Sequence, residues 1–124
     1  MQEQKKTILC VDDDPDVLNY LQTVIEANGF SVVLASSAES AVRLYKQQSP
    51  DLIIVDLMME EVDSGTELVR TLKAEGNKAP IYMLSSVGDS LSTMTDYSAL
   101  GLSGVLQKPI NPDALLKILT SKLG

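Results

Sequence analysis

Leu52-Ile53-Ile54-Val55-Asp56 is an unbroken apolar run that ends on a carboxylate. Pro50-Asp51 stands before it, and a loop with Glu60, Glu61, Asp63 and Gly65 follows. A short apolar run between turn signals reads as a strand buried on both faces. Strands of that kind belong to parallel sheets covered by helices above and below. In an open α/β sheet the chemistry gathers outside the carboxyl ends of the strands, which is where Asp56 falls.

The rest of the chain repeats this theme. Thr7 to Val11 reads as a first buried strand, followed by Asp12-Asp13-Asp14. Asp14-Pro15 starts a helix, because Asp caps and Pro suits a first position that has no use for an N–H. Val17, Leu18, Leu21, Val24 and Ile25 recur at helical spacing until Asn28-Gly29 stops them. Ser31 to Ala35 is a second strand. Ser36 and Glu39 fit a capping box for a second helix whose inner face is Ala38, Ala41, Val42 and Tyr45.

After the opening run, Leu68, Val69 and Leu72 mark a third helix that Gly76 ends. A fourth strand spans 80–85. Leu91, Met94, Tyr97 and Leu100 suggest a fourth helix, rich in Ser and Thr and closed by Gly101. A short fifth strand covers 104–108. Asn111-Pro112 caps a fifth helix bearing Leu115, Leu116, Ile118, Leu119 and Leu123.

Five βα units in a row predict an α/β fold: a doubly wound, flavodoxin-like (βα)5 domain. Its five-stranded parallel sheet takes the order 2-1-3-4-5. With 124 residues the chain is long enough for one domain, 1–124, with its core from about 7 to 123. An eight-fold barrel needs about twice the length.

Composition removes several function classes. The net charge of −7 disfavours direct nucleic-acid binding, which needs clustered Lys and Arg. The chain contains no histidine, so Ser-His-Asp and Cys-His mechanisms and His-ligated zinc are excluded. No apolar run approaches the ~18 residues of a membrane span and no signal peptide opens the chain, which suits a cytoplasmic protein. The single cysteine, Cys10, lies inside the first strand and reads as a buried structural thiol.

What the strand ends deliver is more specific. The first strand delivers Asp12 and Asp13, the third Asp56, the fourth Ser85 and the fifth Lys108. Strands that all point one way bring these side chains to one edge, with the first and third strands at the switch point. Three carboxylates in one crevice repel each other, and a hard cation resolves the repulsion. Mg²⁺ prefers oxygen ligands, with one or two carboxylates plus waters and phosphate oxygens. Asp13 and Asp56 would bind directly, Asp12 through water, and the backbone carbonyl of Met58 would add an oxygen. Asp56 could then attack a phosphoryl group, with Lys108 and Ser85 binding the phosphoryl oxygens, to give an aspartyl phosphate.

Two other phosphate chemistries fit less well. Asp12-Asp13-Asp14 resembles the Asp-x-Asp of haloacid dehalogenase-type phosphohydrolases, but Asp16 stands where that family has Thr or Val. A flavodoxin would need a Ser/Thr/Gly-rich phosphate loop after the first strand, where the three aspartates would repel phosphate.

As a set, Ile8-Leu9-Cys10-Val11-Asp12-Asp13-Asp14, Leu52 to Met59, Met83-Leu84-Ser85-Ser86 and Lys108-Pro109 resemble the response-regulator receiver domain of two-component signalling. The resemblance runs from about residue 7 to 123. It implies that Asp56 is the phosphoacceptor, that Asp12 and Asp13 are the acidic Mg²⁺ pair, and that Ser85 and Lys108 are the family's switch hydroxyl and lysine. It also implies a cis Lys108-Pro109 bond. The phosphoryl donor would be a phosphohistidine on a histidine kinase or a histidine phosphotransfer protein. The domain's own catalysis would be limited to self-directed phosphotransfer and autodephosphorylation. The output target is unknown, and the surface around the fourth helix, fifth strand and fifth helix is the usual face for targets or a homodimer. A phosphorylation-independent interaction module is the alternative.

Three departures from the family pattern stand out. Glu60 replaces the usual proline after Asp56, and one residue, effectively Ser64, is inserted before Gly65. Val105 holds the place of the family's aromatic on the fifth strand, so the usual coupling of Ser85 to an aromatic must take another form, for which Tyr97 is a candidate. Met58 and Val87 are apolar where the family flanks the route of attacking water, which predicts slow autodephosphorylation.

Overall fold

The computed structural model describes residues 6–56, 64–85, 102–108 and 110–123. Five strands form one sheet: β1 (Thr7–Val11), β2 (Ser31–Ala35), β3 (Leu52–Asp56), β4 (Ile81–Ser85) and β5 (Gly104–Gln107). Every pairing is parallel, and the order is β2-β1-β3-β4-β5. The doubly wound order read from the βα repeat is therefore the order of the fold. The described helices are α1 (Pro15–Ala27), α2 (Ala38–Gln48), α3 (Ser64–Ala74) and α4 (Pro112–Leu123). The helix expected around 91–100 lies outside the described residues, so α4 is the fifth helix of the sequence pattern.

β3 and β4 are buried at every position, as strands sandwiched between two helical layers must be. Alternation along each strand divides their side chains between two cores. On one face Leu9, Val11, Ile53, Val55, Ile81 and Met83 pack with Ala41 of α2 and Leu68, Val69 and Leu72 of α3. On the other, Ile8, Cys10, Ile54, Tyr82, Leu84 and Leu106 pack with Leu18, Leu21 and Ile25 of α1 and Leu115 and Leu119 of α4. Burying a leucine or isoleucine side chain contributes roughly 1.5–3 kcal/mol, so these two layers are the main stabilising term.

Helix boundaries follow from local chemistry. Asp14 caps α1 by accepting from the Asp16 N–H, and Pro15 occupies the first turn. Asn28 closes the helix, and Gly29 takes φ +91°, a conformation that costs a residue with a Cβ. Asn111 Oδ1 accepts from the N–H groups of Asp113 and Ala114 at 2.8 and 3.1 Å and caps α4.

The capping box of α2 is shifted from the expected Ser36–Glu39 to Ser37–Ser40. Ser37 Oγ accepts from Ser40 N at 3.1 Å, and Ser40 Oγ accepts from Ser37 N at 3.3 Å. The helix starts one residue later than the sequence suggested, and the shorter serine side chain closes the box. Glu39 then lies in the first turn, where a carboxylate suits the positive end of the helix dipole.

Two strand ends also differ by one residue. Pro80 has no N–H to give the ladder, so β4 begins at Ile81, although the Pro80 carbonyl still accepts from Ile53 N at 2.9 Å. Lys108 falls just beyond β5. Its N–H donates to the Ser85 carbonyl at 2.7 Å, which continues the β4–β5 contact for one more residue. Ser64, read as a loop insertion, is the first residue of α3. No described helix is long and apolar enough to cross a membrane.

Candidate metal and phosphoryl site

The site is assembled at the carboxyl edge of the sheet. Val11 pairs with Val55, so Asp12 and Asp56 follow as the next residues of two adjacent parallel strands. Both share the strand face of Cys10 and Ile54, and Lys108 shares by alternation the face of Leu106. That common face explains why the three polar groups meet. Asp12 is fully buried and Asp56 is 4% exposed, whereas Asp13 points to solvent. Carboxylate oxygens of Asp12, Asp13 and Asp56 lie within 4.8 Å of one another.

Lys108 reaches into this cluster from β5. Its Nζ lies 3.0 Å from Asp12 Oδ2 and 3.2 Å from Asp56 Oδ1. Burial by itself would lower the Lys108 pKa. The contact with Asp12 and the charges of Asp56 and Asp12 outweigh burial and hold the ammonium above its ordinary value. Next to the site, burial pushes the Cys10 thiol well up, and the Asp12 charge adds to the effect. Cys10 is therefore a neutral packing residue, as its place in the strand suggested.

Asp12 shows what the cluster lacks. Oδ1 accepts from the Asp14 N–H at 2.9 Å, which ties the carboxylate to the start of α1. Oδ2 is buried, and among the described residues the Lys108 ammonium at 3.0 Å is what balances it. Among the described residues, three carboxylates thus face one ammonium. An oxygen-only donor set with excess negative charge, part of it buried, fits a hard divalent cation such as Mg²⁺. It does not fit zinc, which favours nitrogen and sulfur.

Of the expected site residues, the structure brings together Asp12, Asp13, Asp56 and Lys108. Ser85 ends the neighbouring strand, 8% exposed, and is linked to Lys108 through its carbonyl. Met58, Glu60, Ser86, Val87, Tyr97 and the Lys108-Pro109 bond lie outside the described residues. Sequence reading missed the turn in which Asp12 accepts from Asp14. The signal was present, since an Asp two residues before a helix cap is placed to bond the backbone ahead of it.

A family model described as "Response regulator receiver domain" matches residues 8–120. Among curated proteins, the chain is 34% identical over 113 residues to a probable transcriptional regulator, ycf27, of Guillardia theta, covering 91% of this chain and 43% of that protein. It is 32% identical over 107 residues to the alkaline phosphatase synthesis transcriptional regulatory protein PhoP of Bacillus subtilis, covering 86% of this chain and 44% of that one. The chain thus spans less than half the length of these curated relatives. Among solved structures, the chemotaxis protein CheY4 of Vibrio cholerae superposes with a TM-score of 0.87 at 29% identity, covering 97% of this chain and 100% of that one.

Proposed function

Because the chain belongs to the response regulator receiver domain family, we propose that it is a phosphorylation-controlled switch whose phosphoacceptor is Asp56. The observation that carries this reading is the convergence of Asp12, Asp13 and Asp56 within 4.8 Å, with Lys108 Nζ 3.2 Å from the Asp56 carboxylate. Domains of this family are signalling switches rather than enzymes acting on a separate substrate.

In the proposed reaction an Asp56 oxygen attacks the phosphorus of a phosphohistidine. The new O–P bond forms as the P–N bond breaks, and the imidazole nitrogen leaves with the electron pair. The chain has no histidine, so the donor is a second protein, a histidine kinase or a histidine phosphotransfer protein. Asp12, Asp13 and Asp56 would hold Mg²⁺, with the Met58 carbonyl as a further oxygen. When bound, the cation offsets the negative charge shared by carboxylates and phosphoryl oxygens.

Lys108 supplies a fixed positive charge beside the attacking carboxylate and remains within reach of the product's phosphoryl oxygens. The Ser85 hydroxyl donates to another of those oxygens. Asp12 is buried and tied to the start of α1, so it does not turn away when the charge at Asp56 changes. We read the cytoplasm as the place of action and the surface around β5 and α4, with the fourth helix expected from the sequence, as the face that passes the signal on. That face would meet an output target or a second copy of the chain, and no nucleic acid directly.

Mass spectrometry tests the reading. Incubation with Mg²⁺ and acetyl phosphate should add one phosphoryl group, and Asp56→Ala should abolish the addition. A wild-type chain that gains no mass under saturating Mg²⁺ would point instead to a phosphorylation-independent interaction module.

A further inference from the structure

Lys108 stands past the end of β5, and among the described residues its backbone is joined to the sheet by the 2.7 Å bond from its N–H to the Ser85 carbonyl. Two residues on, Tyr20 provides a second anchor. Its hydroxyl donates to the Ile110 carbonyl at 2.8 Å, crossing from the middle of α1 to the segment that leads into α4. Ile110 itself is buried against the core that α1 and α4 share. The segment carrying the site's ammonium is thus pinned to β4 before it and to α1 after it.

There is room for that segment to move. Tyr20, Lys108 and Ile110, with Asp16 and Val17, line a hollow of about 210 Å³ beside the lysine stem. A lysine stem with four rotatable bonds next to open space loses order readily unless its backbone is held. Tyr20 is the exposed large hydrophobic of its helix face, 36% accessible, and contributes little to the core.

We propose that Tyr20 is a positioning residue, whose hydroxyl tethers Ile110 to α1 and thereby holds the Lys108 ammonium over Asp12 and Asp56. The proposal rests on the phosphoacceptor reading for its kinetic consequence and on the geometry alone for its effect on Lys108.

The test is Tyr20→Phe, which keeps the ring and removes only the donor. Side-chain NMR relaxation should show a lower order parameter at Lys108 Cε in the variant. With acetyl phosphate and saturating Mg²⁺, the rate of phosphoryl incorporation should fall about three- to tenfold, the range for one net hydrogen bond. In a Lys108→Ala chain the same substitution should leave the residual rate unchanged, because the group being positioned is gone. An unchanged Lys108 order parameter in Tyr20→Phe overturns the proposal, as does an equal rate loss in the Lys108→Ala chain. A wild-type chain that accepts no phosphoryl group overturns the phosphoacceptor reading instead, and the order parameter then decides the tether by itself.

Discussion

Lys108 and Asp12 come from opposite ends of the chain, yet Lys108 Nζ lies 3.0 Å from a fully buried oxygen of Asp12. Removing one member of a buried pair leaves the other charge uncompensated, which costs far more than losing an exposed pair. Lys108→Ala should therefore destabilise the metal-free protein by about 2–4 kcal/mol, as read from urea unfolding. A cation bound by the aspartates would replace much of the lost charge. The deficit should shrink when the same titration is run in Mg²⁺, and an equal deficit with and without the metal would argue against a shared site.

Mg²⁺ should stabilise the wild-type fold by mass action. At ten times its dissociation constant the gain is about 1.4 kcal/mol, visible as a raised melting temperature. Asp13→Asn should remove most of that gain. It should also raise the stability of the metal-free protein slightly, since it takes one of three clustered negative charges away. Differential scanning calorimetry with and without Mg²⁺ reads both effects.

Stability should fall above about pH 9. Cys10, Tyr82 and Lys108 all bind their protons more tightly in the folded state than their ordinary values of 9.0, 10.0 and 10.5. Burial is the cause for Cys10 and Tyr82, while for Lys108 the aspartates outweigh it. As pH rises past the ordinary values, the unfolded chain releases protons that the folded chain keeps. The contribution is complete below those values and is lost above them, at up to about 1.4 kcal/mol per pH unit for each group. Urea midpoints from pH 8 to 10.5 should decline, and Cys10→Ala should flatten the first part of the decline.

Gly104→Ala should destabilise the sheet. Gly104 pairs directly with Tyr82, and a Cβ there would meet ring carbons at 2.9 and 3.2 Å. The ring is packed in the α1–α4 layer and has little freedom to yield. A cost of about 1–3 kcal/mol is expected for overpacking of this kind. Tyr82→Leu should absorb part of it, so the double variant should lose less than the sum of the single ones.

Phosphorylated Asp56 should be long-lived. Met58 and Val87, two positions after Asp56 and Ser85, carry no group able to orient an attacking water. Met58→Asn should shorten the half-life of the phosphoryl group, followed by loss of the added mass. A wild-type half-life of seconds that Met58→Asn does not change would remove this explanation.

The strands, their order and the polar residues at their carboxyl ends were legible in the chain because each rests on short-range pattern. Leu52 to Asp56 reads as a doubly buried strand from its composition alone. Pro15, Asn28-Gly29 and Asn111 mark helix ends through restrictions on single residues. The βα alternation then leaves few topologies, and the parallel sense of the strands sends Asp12, Asp56, Ser85 and Lys108 to one edge.

Contacts across elements depend on register, twist and side-chain length, and only the folded chain decides them. The sequence pattern put the α2 cap at Ser36 with Glu39, whereas the hydrogen bonds join Ser37 and Ser40. Nothing in the periodicity of α1 distinguishes Tyr20 from any other exposed position, because its partner is a backbone carbonyl, which every residue has. Nor does the order of residues say that Lys108 would pair with both Asp12 and Asp56. Sequence pattern determined which residues reach the carboxyl edge of the sheet. The tertiary structure decided which of them touch, because distances of about 3 Å are set by packing between elements far apart in the chain.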